Sequence, residues 1–384
     1  MTTLPGPTVG VVGAGQLGRM LGEAAAPMGV DLVAADPTPD APAAPVVTDQ
    51  LVGEFDDRET YRRLAERVDV LTYEIELVDP DHLEFVAEEM DTPVHPHPST
   101  LRMIADKLVQ KRRLQEAGVP VPRFRAVGGI QDVVDAAEEF GYPLMLKARV
   151  GGYDGRGNAA IYDRHDVEAA LEVVDGPWMV EEFVDYEREL AVMACQGDGE
   201  VDTFPVTETI HEEEILRETV SPARTDDTTR ERAREVAVDV LDVLDGRGVF
   251  GVELFETADG EILLNEIAPR PHNSGHWTIE GCETSQFEQH LRGVLGWPLG
   301  STERRSPTVT ANILGDVEKR QPATLAGVDA VLSTDGCKMH FYGKDEVYNL
   351  RKCGHITQIG RLDADTTELL EATRDVREEL TFTE

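Results

Sequence analysis

Lys147-Ala-Arg-Val-Gly-Gly-Tyr-Asp-Gly-Arg-Gly-Asn158 sets four glycines, Gly151, Gly152, Gly155 and Gly157, within seven residues between two apolar runs, Pro143-Leu-Met-Leu146 and Ala159-Ala-Ile-Tyr162. The pattern predicts strand, glycine loop, strand. A loop with so little side-chain bulk can turn its backbone N–H groups toward an anion, and Lys147 and Arg156 add fixed positive charge at its two ends. Polyphosphate suits such a loop. From the glycines alone, a mobile hairpin with an incidental Tyr-Asp tip fits equally well. The phosphate loop Gly-x-x-x-x-Gly-Lys-Ser/Thr occurs nowhere in the chain, so a nucleotide has to be held in another way.

The surrounding composition narrows the guest. The 384 residues are enough for two or three domains with proper cores, and 41% apolar residues is ordinary for a globular chain. Its charge is not ordinary: 74 acidic residues against 36 basic ones leave a formal −38. That field repels nucleic acid and anionic membrane, which excludes both as expected partners. The acids are spread along the whole chain, as expected of a salt-tolerant surface in a halophilic cytoplasm. Lysine is scarce, with seven (Lys107, Lys111, Lys147, Lys319, Lys338, Lys344, Lys352) among twenty-nine arginines, so those that remain are functional candidates. The four cysteines, Cys195, Cys282, Cys337 and Cys353, form no metal-like spacing and read as free thiols of a reducing compartment. With no signal-like N-terminus and no apolar run of the ~18 residues a span requires, a cytoplasmic protein is expected.

Along the chain, Thr8-Val-Gly-Val-Val12 runs into Gly13-Ala-Gly-Gln-Leu-Gly18, and an alanine-rich helix follows. A second strand, Asp31 to Ala35, ends at Asp36, where a dinucleotide fold keeps its ribose-binding acid. Taken alone this reads as an NAD site, although the spacing reports only a tight turn at a helix N-terminus. A helix near Arg58 to Arg67 and the strand Val70 to Ile75 extend a parallel sheet. Glu74 and Glu76 lie at the carboxyl end of that strand, where ligands of open sheets bind and where an acid is also ordinary solvated surface. The proline-rich Thr92 to Pro98 marks a boundary, after which Ser99 is expected to cap a helix reaching Ala117. Strands and short helices follow, including Val201 to Thr209 and a helix from Asp226 to Leu244. A third segment starts after Pro298, with strands at 308–312, 338–342 and 355–359 and a closing helix from Thr366.

Val249-Phe-Gly-Val-Glu-Leu-Phe255 and Glu261-Ile-Leu-Leu-Asn-Glu-Ile267 flank Asp259-Gly260, the preferred pair for a two-residue hairpin turn. Counting outward pairs Ala258 with Glu261, Phe255 with Leu264 and Glu253 with Glu266. Facing carboxylates repel unless a cation sits between them, and magnesium takes one or two carboxylates and completes its shell with water and phosphates. A one-residue slip would instead send the two acids to opposite faces. Next comes Ala268-Pro-Arg-Pro-His-Asn-Ser-Gly-His276, where two prolines stiffen the presentation of Arg270, His272 and Asn273, donors suited to a small planar oxyanion.

The glycine loop, the run Val-Glu-Glu-Phe-Val ending at Val184, the hairpin acids and Asn265 to His276 together resemble the ATP-grasp superfamily, and within it the branch that carboxylates an aminoimidazole ribonucleotide in purine synthesis. The likeness runs from Gly10 to about Arg361. It implies an α/β fold of three domains. Residues 1–98 would form a Rossmann-like parallel sheet, 99–298 a two-part ATP-grasp domain with a lid at about 120–184, and 299–384 a small β-rich C-terminal domain completing the substrate site. It implies a ligase that uses ATP and Mg2+ to join bicarbonate to 5-aminoimidazole ribonucleotide, and a homodimer. Carried onto matching residues, Lys107 and Lys147 would meet the phosphates, while Gly152, Tyr153, Asp154, Gly155, Arg156, Gly157 and Asn158 would form the lid. Glu181, Glu182, Phe183 and Val184 would hold the adenine edge largely by backbone groups, Glu189 the ribose, and His211 would lie near the phosphates. Glu253 and Glu266 would hold the metal, with Asn265 beside them. Gln16, Leu17, Glu74, Tyr153, Arg156, Lys344, Arg351 and Lys352 would bind the ribonucleotide, and Arg270, His272 and Asn273 bicarbonate. Tyr153, Asp154 and Arg156 are also assigned to catalysis, Asp154 as acceptor of the amine's proton. A formate-dependent glycinamide ribonucleotide transformylase is the nearest rival, an NAD-dependent dehydrogenase a more distant one, and a nonenzymatic nucleotide-binding regulator a third.

Overall fold

The computed structural model describes residues 2–151 and 157–383. Its first unit is a parallel sheet in the order Asp49–Val52, Asp31–Asp36, Thr8–Val12, Val70–Tyr73. Side chains of successive strand residues point to opposite faces, and both faces here are apolar. Val9 and Val11 pack on the helix Gln16–Ala25 and on Phe287, Leu291 and Val294 of the helix Gln286–Val294. Val12, Leu71 and Tyr73 pack on Tyr61, Leu64 and Leu83 from the helices that follow. Each such residue contributes on the order of 1.5–3 kcal/mol. One hydrogen-bonded histidine ties this unit to the next. Val249 N–H donates to His290 Nδ1 at 3.0 Å, so Nε2 carries the proton and donates to Thr72 Oγ1 at 2.9 Å.

The helix expected from Ser99 to Ala117 is two helices. His97, not Ser99, caps the first, Pro98–Ala105, with Pro98 at its opening position. Asp106 then leaves helical geometry, and its carboxylate accepts from the N–H groups of Leu108 and Val109 to cap Lys107–Glu116. This break turns Lys107 toward the cleft described below. A small antiparallel sheet follows, ordered Phe124–Val127, Trp178–Glu182, Leu144–Ala148, Asn158–Ile161. The predicted strand, loop, strand around the glycines is present, with Leu144 pairing Ile161 and Lys147 pairing Asn158. Leu144, Leu146 and Ala148 bury against the helices Ile130–Phe140 and Asp166–Val173, while Met145 and Lys147 alternate onto the open face.

The largest sheet runs Ile262–Ala268, Gly248–Thr257, Tyr186–Gln196, Thr207–Glu212, Ile215–Ser221, Thr308–Leu314, Lys352–Ile359, Cys337–Phe341, with Val201–Thr203 added beside Tyr186–Gln196. Pro205 divides the stretch expected as one strand from Val201 to Thr209. The three C-terminal strands do not build a sheet of their own: Thr308–Leu314 pairs with Ile215–Ser221 and so extends the central one. The helix Asp227–Leu241, capped by Asp226, covers one face through Ala233, Val236, Ala237 and Val240 against Leu190, Val192, Phe250 and Val252.

The hairpin expected around Asp259-Gly260 is present with a different turn. Thr257 N–H and Glu261 carbonyl close it, and Gly260 sits at φ +77°, a left-handed position that glycine adopts without strain, so three residues form the turn instead of two. Phe255 therefore pairs with Leu263, not Leu264. A bulge at Asn265 then restores the count, and Glu253 faces Glu266 as expected.

Candidate active site

Between the small sheet and the central sheet lies a cavity of about 580 Å3, within the usual range for a small-molecule site. It gathers Lys107, Lys147, Asn158, Glu181, Glu182, Phe183, Val184, Glu189, His211, Glu253, Asn265, Glu266, Arg270, His272, Asn273 and Lys352. Gly157 follows the undescribed tip at φ +93° and accepts from Ala148 N–H. Gly152, Tyr153, Asp154, Gly155 and Arg156, expected to form the lid and part of the substrate site, lie outside the described residues.

At the wall made by the small sheet, Lys147 Nζ meets Glu181 Oε2 at 2.7 Å. Burial alone would raise the Glu181 carboxyl, but Lys111 and Lys147 pull it down to about 2. On the floor, Glu189 pairs with His211. Burial works against the imidazolium of His211, yet the Glu189 carboxylate draws its pKa up. Tyr186 and Phe255 stack beside them, ring centroids 4.8 Å apart.

Glu253 is mostly enclosed. Burial first, and the facing Glu266 among the carboxylates nearby, push its pKa up to about 7 against the opposing pull of His211. Lys107 Nζ stands 3.5 Å from Glu266. Among the described residues no three acid, histidine or cysteine side chains form a metal cluster. The two oxygen-donor acids do fit magnesium, which takes few protein ligands, and a cation between them would relieve a charge that the fold otherwise leaves half-compensated.

The strand Ile262–Ala268 stops at Pro269, which has no N–H to donate. Gly251 makes room for the loop beyond, since a Cβ there would come within 2.6 Å of His272 Cβ. Arg270 reaches Glu76 at 2.8 Å. His272 Nδ1 accepts from Ser274 and stands 3.6 Å from Glu253. Burial and the positive charge of Arg270 hold the His272 pKa well below its ordinary value, so the ring is neutral. Asn273 is 6% exposed, and among the described residues neither its amide nitrogen nor its amide oxygen has a hydrogen-bond partner. A buried amide with both ends unmet is an incomplete site that a ligand would complete.

The remaining expected residues gather at the carboxyl ends of the first sheet. Lys344 Nζ donates to Gln16 Oε1 at 2.7 Å and to the Lys352 carbonyl at 2.6 Å, and burial lowers its pKa to about 8. Arg351 donates to the Glu346 carbonyl. Glu74 is the surprise. Its carboxylate accepts from the N–H groups of Gly15, Leu17 and Gly18 and so fills the anion-binding turn from within. A Cβ on Gly13 would lie 2.5 Å from Glu74 Cγ, so the glycines make room for this side chain. Asp36 is likewise engaged, accepting from Ala14 and Thr38. The dinucleotide reading of this turn is therefore corrected: both its phosphate cradle and its ribose acid are occupied by the protein itself.

Two cleft residues carry no assigned role in the sequence reading. Glu76 reads equally as a ligand-end acid or as solvated surface, and no local pattern announces its pairing with Arg270, 194 positions away. Lys111 was singled out only by the scarcity of lysine, yet it is 1% exposed and contacts Glu181.

Sequence models of three families match in order: the ribonucleotide synthetase preATP-grasp domain over residues 7–105, the ATP-grasp domain over 112–287, and the phosphoribosylaminoimidazole carboxylase C-terminal domain over 308–369. N5-carboxyaminoimidazole ribonucleotide synthase of Bacillus subtilis (strain 168) is 39% identical over 92% of this chain and 91% of its own length. The chain belongs to the N5-carboxyaminoimidazole ribonucleotide synthase family. A solved synthetase of this family from Thermotoga maritima is 41% identical, with a TM-score of 0.88 over 98% of this chain and 99% of that one. The family's Aspergillus clavatus structure, solved with ADP and 5-aminoimidazole ribonucleotide, is 36% identical, with a TM-score of 0.88 over 97% of this chain and 98% of that one. The fold is thus the three-part α/β ATP-grasp architecture that the sequence motifs implied.

Proposed function

We propose that this chain carries out its family's reaction, the ATP-dependent carboxylation of 5-aminoimidazole ribonucleotide by bicarbonate to N5-carboxyaminoimidazole ribonucleotide, ADP and phosphate, in purine biosynthesis. The observation that carries this reading is one cleft with facing acids, Glu253 and Glu266, flanked by Lys107 and Lys147 on one side and by Arg270, His272 and Asn273 on the other.

Bicarbonate is a weak nucleophile that must approach the tetraanionic tail of ATP. Lys107 and Lys147 lower that repulsion, and Arg270, neutral His272 and the unmet amide of Asn273 orient the bicarbonate. A bicarbonate oxygen attacks the γ-phosphorus, ADP leaves, and carboxyphosphate results. Its breakdown to carbon dioxide and phosphate beside the ribonucleotide lets the exocyclic amine form the new C–N bond and release its proton, for which Asp154 is the assigned acceptor. Magnesium held by Glu253 and Glu266 would screen the phosphate oxygens and polarise the γ-phosphorus. Gln16, Glu74, Lys344, Arg351 and Lys352 would hold the ribonucleotide, and the backbone groups of Glu181 to Val184, with the Glu189 side chain, the adenosine; the Glu181 carboxylate itself is turned to Lys111 and Lys147.

A cytoplasmic, salt-rich setting and a homodimer complete the proposal. The first rests on four unpaired buried cysteines, the second on the net charge of −38, and the third on the family resemblance. No helix of the described residues is long and apolar enough to cross a membrane. The deciding experiment measures ADP release with bicarbonate and aminoimidazole ribonucleotide, and in parallel with formate and glycinamide ribonucleotide. Turnover only in the first mixture is expected; turnover only in the second would replace this function by the formyl-transferring one.

A further inference from the structure

Lys111 lies one helical turn after Lys107 and, at 1% exposure, is buried in the cleft wall. Its amino group donates to the Leu264 carbonyl at 2.9 Å, just before the Asn265 bulge, and stands 3.4 Å from Glu181 Oε1. The other oxygen of Glu181 meets Lys147 at 2.7 Å. Glu181 is itself 2% exposed, so water screens its contact with Lys111 little, whereas Lys147 keeps part of its surface toward the cavity. Two ammoniums and one carboxylate leave one positive charge. Without Lys111, the carboxylate would cancel Lys147, and this part of the wall would offer an anion no net attraction.

We propose that Lys111 is a positioning residue for nucleotide binding: by serving as the buried counter-ion of Glu181, it leaves the charge of Lys147 available to the triphosphate. The proposal rests on the reading that this cleft binds ATP. Lys111 acts through Glu181 and does not itself touch the nucleotide. Its burial lowers its pKa to about 8, which keeps it mostly charged at neutral pH.

Calorimetric binding of a non-hydrolysable ATP analogue, in magnesium-containing buffer, tests it. Lys111→Met should bind at least tenfold more weakly than the unaltered protein. Adding Glu181→Gln to that variant removes the unbalanced carboxylate and should return affinity to within about threefold. Unchanged binding by Lys111→Met overturns the proposal, as does a double variant no better than the single one, since a packing defect would not be repaired by altering a charge. If thermal melting shows that Lys111→Met alone does not fold, the double variant decides: affinity within threefold of the unaltered protein supports the proposal, and a tenfold loss overturns it. An unaltered protein that does not bind the analogue withdraws the ATP reading as well, an outcome distinct from those of the variants.

Discussion

Glu253 and Glu266 stand directly opposite each other in the hairpin, brought into register by the bulge at Asn265. Burial and that opposing acid raise the Glu253 pKa from 4.5 to about 7. A carboxyl raised by folding costs nothing below its unfolded pKa and its full penalty above its folded one, here roughly 3 kcal/mol. Glu253→Gln should therefore melt higher than the unaltered, metal-free protein at pH 8, and the difference should vanish by pH 4. A difference that does not change with pH would contradict the strained pair.

Glu266→Gln should keep the fold and lose ATP turnover by at least a hundredfold, because the proposed magnesium site would lose one of its two acids. Phosphate release together with circular dichroism checks this. A folded variant with near-normal turnover would remove Glu266 from the metal site.

Arg270 is held 2.8 Å from Glu76, which lies in the turn after the strand Val70–Tyr73 of the parallel sheet. Replacing Glu76 by Gln keeps the size and removes the anchoring charge. The expected result is a bicarbonate KM raised about tenfold with the ATP KM within twofold, since only the end proposed for bicarbonate is disturbed. Equal increases in both constants would point to a general loss of structure.

Lys344 carries a pKa lowered to about 8 by burial. A lysine loses its charge as pH rises through its pKa, so the ribonucleotide KM should climb above pH 8, approaching tenfold per unit. Lys344→Arg, which stays charged, should flatten that rise. Identical pH profiles for the two proteins would exclude Lys344 as the titrating group.

A net charge of −38 repels itself in dilute buffer. The melting temperature should rise by several degrees between 0.1 and 2 M KCl, read by thermal scanning. A melting temperature independent of salt would remove the salt-adapted reading.

Glycines and prolines at fixed offsets made much of this fold legible. The strands around the glycine loop and the rigid Pro269–Arg270–Pro271 presentation could be read directly. The facing acids were also anticipated, but through two compensating errors: the turn holds one residue more than Asp259-Gly260 predicts, and Asn265 takes up the difference. Nothing local distinguishes a bulging asparagine from an ordinary strand residue. The cap at His97 and the break at Asp106 were missed because Ser99 is the better cap by residue type, whereas the proline at position 98 decides where the helix begins. The partners of Glu74, Glu76 and Lys111 lie 56 to 59, 194 and 70 or more positions away, a spacing set by tertiary packing, which leaves no periodic trace.

Because Thr308–Leu314 and Lys352–Ile359 are hydrogen-bonded into the same sheet as Gly248–Thr257, the strands that carry Glu253 and Lys352 share one continuous backbone lattice. The covering sheet with Lys147 belongs to a separate lattice. Any change in the separation of Lys147 from Glu253 therefore slides one lattice against the other, whereas the spacing of Glu253 and Lys352 is bolted to a single frame.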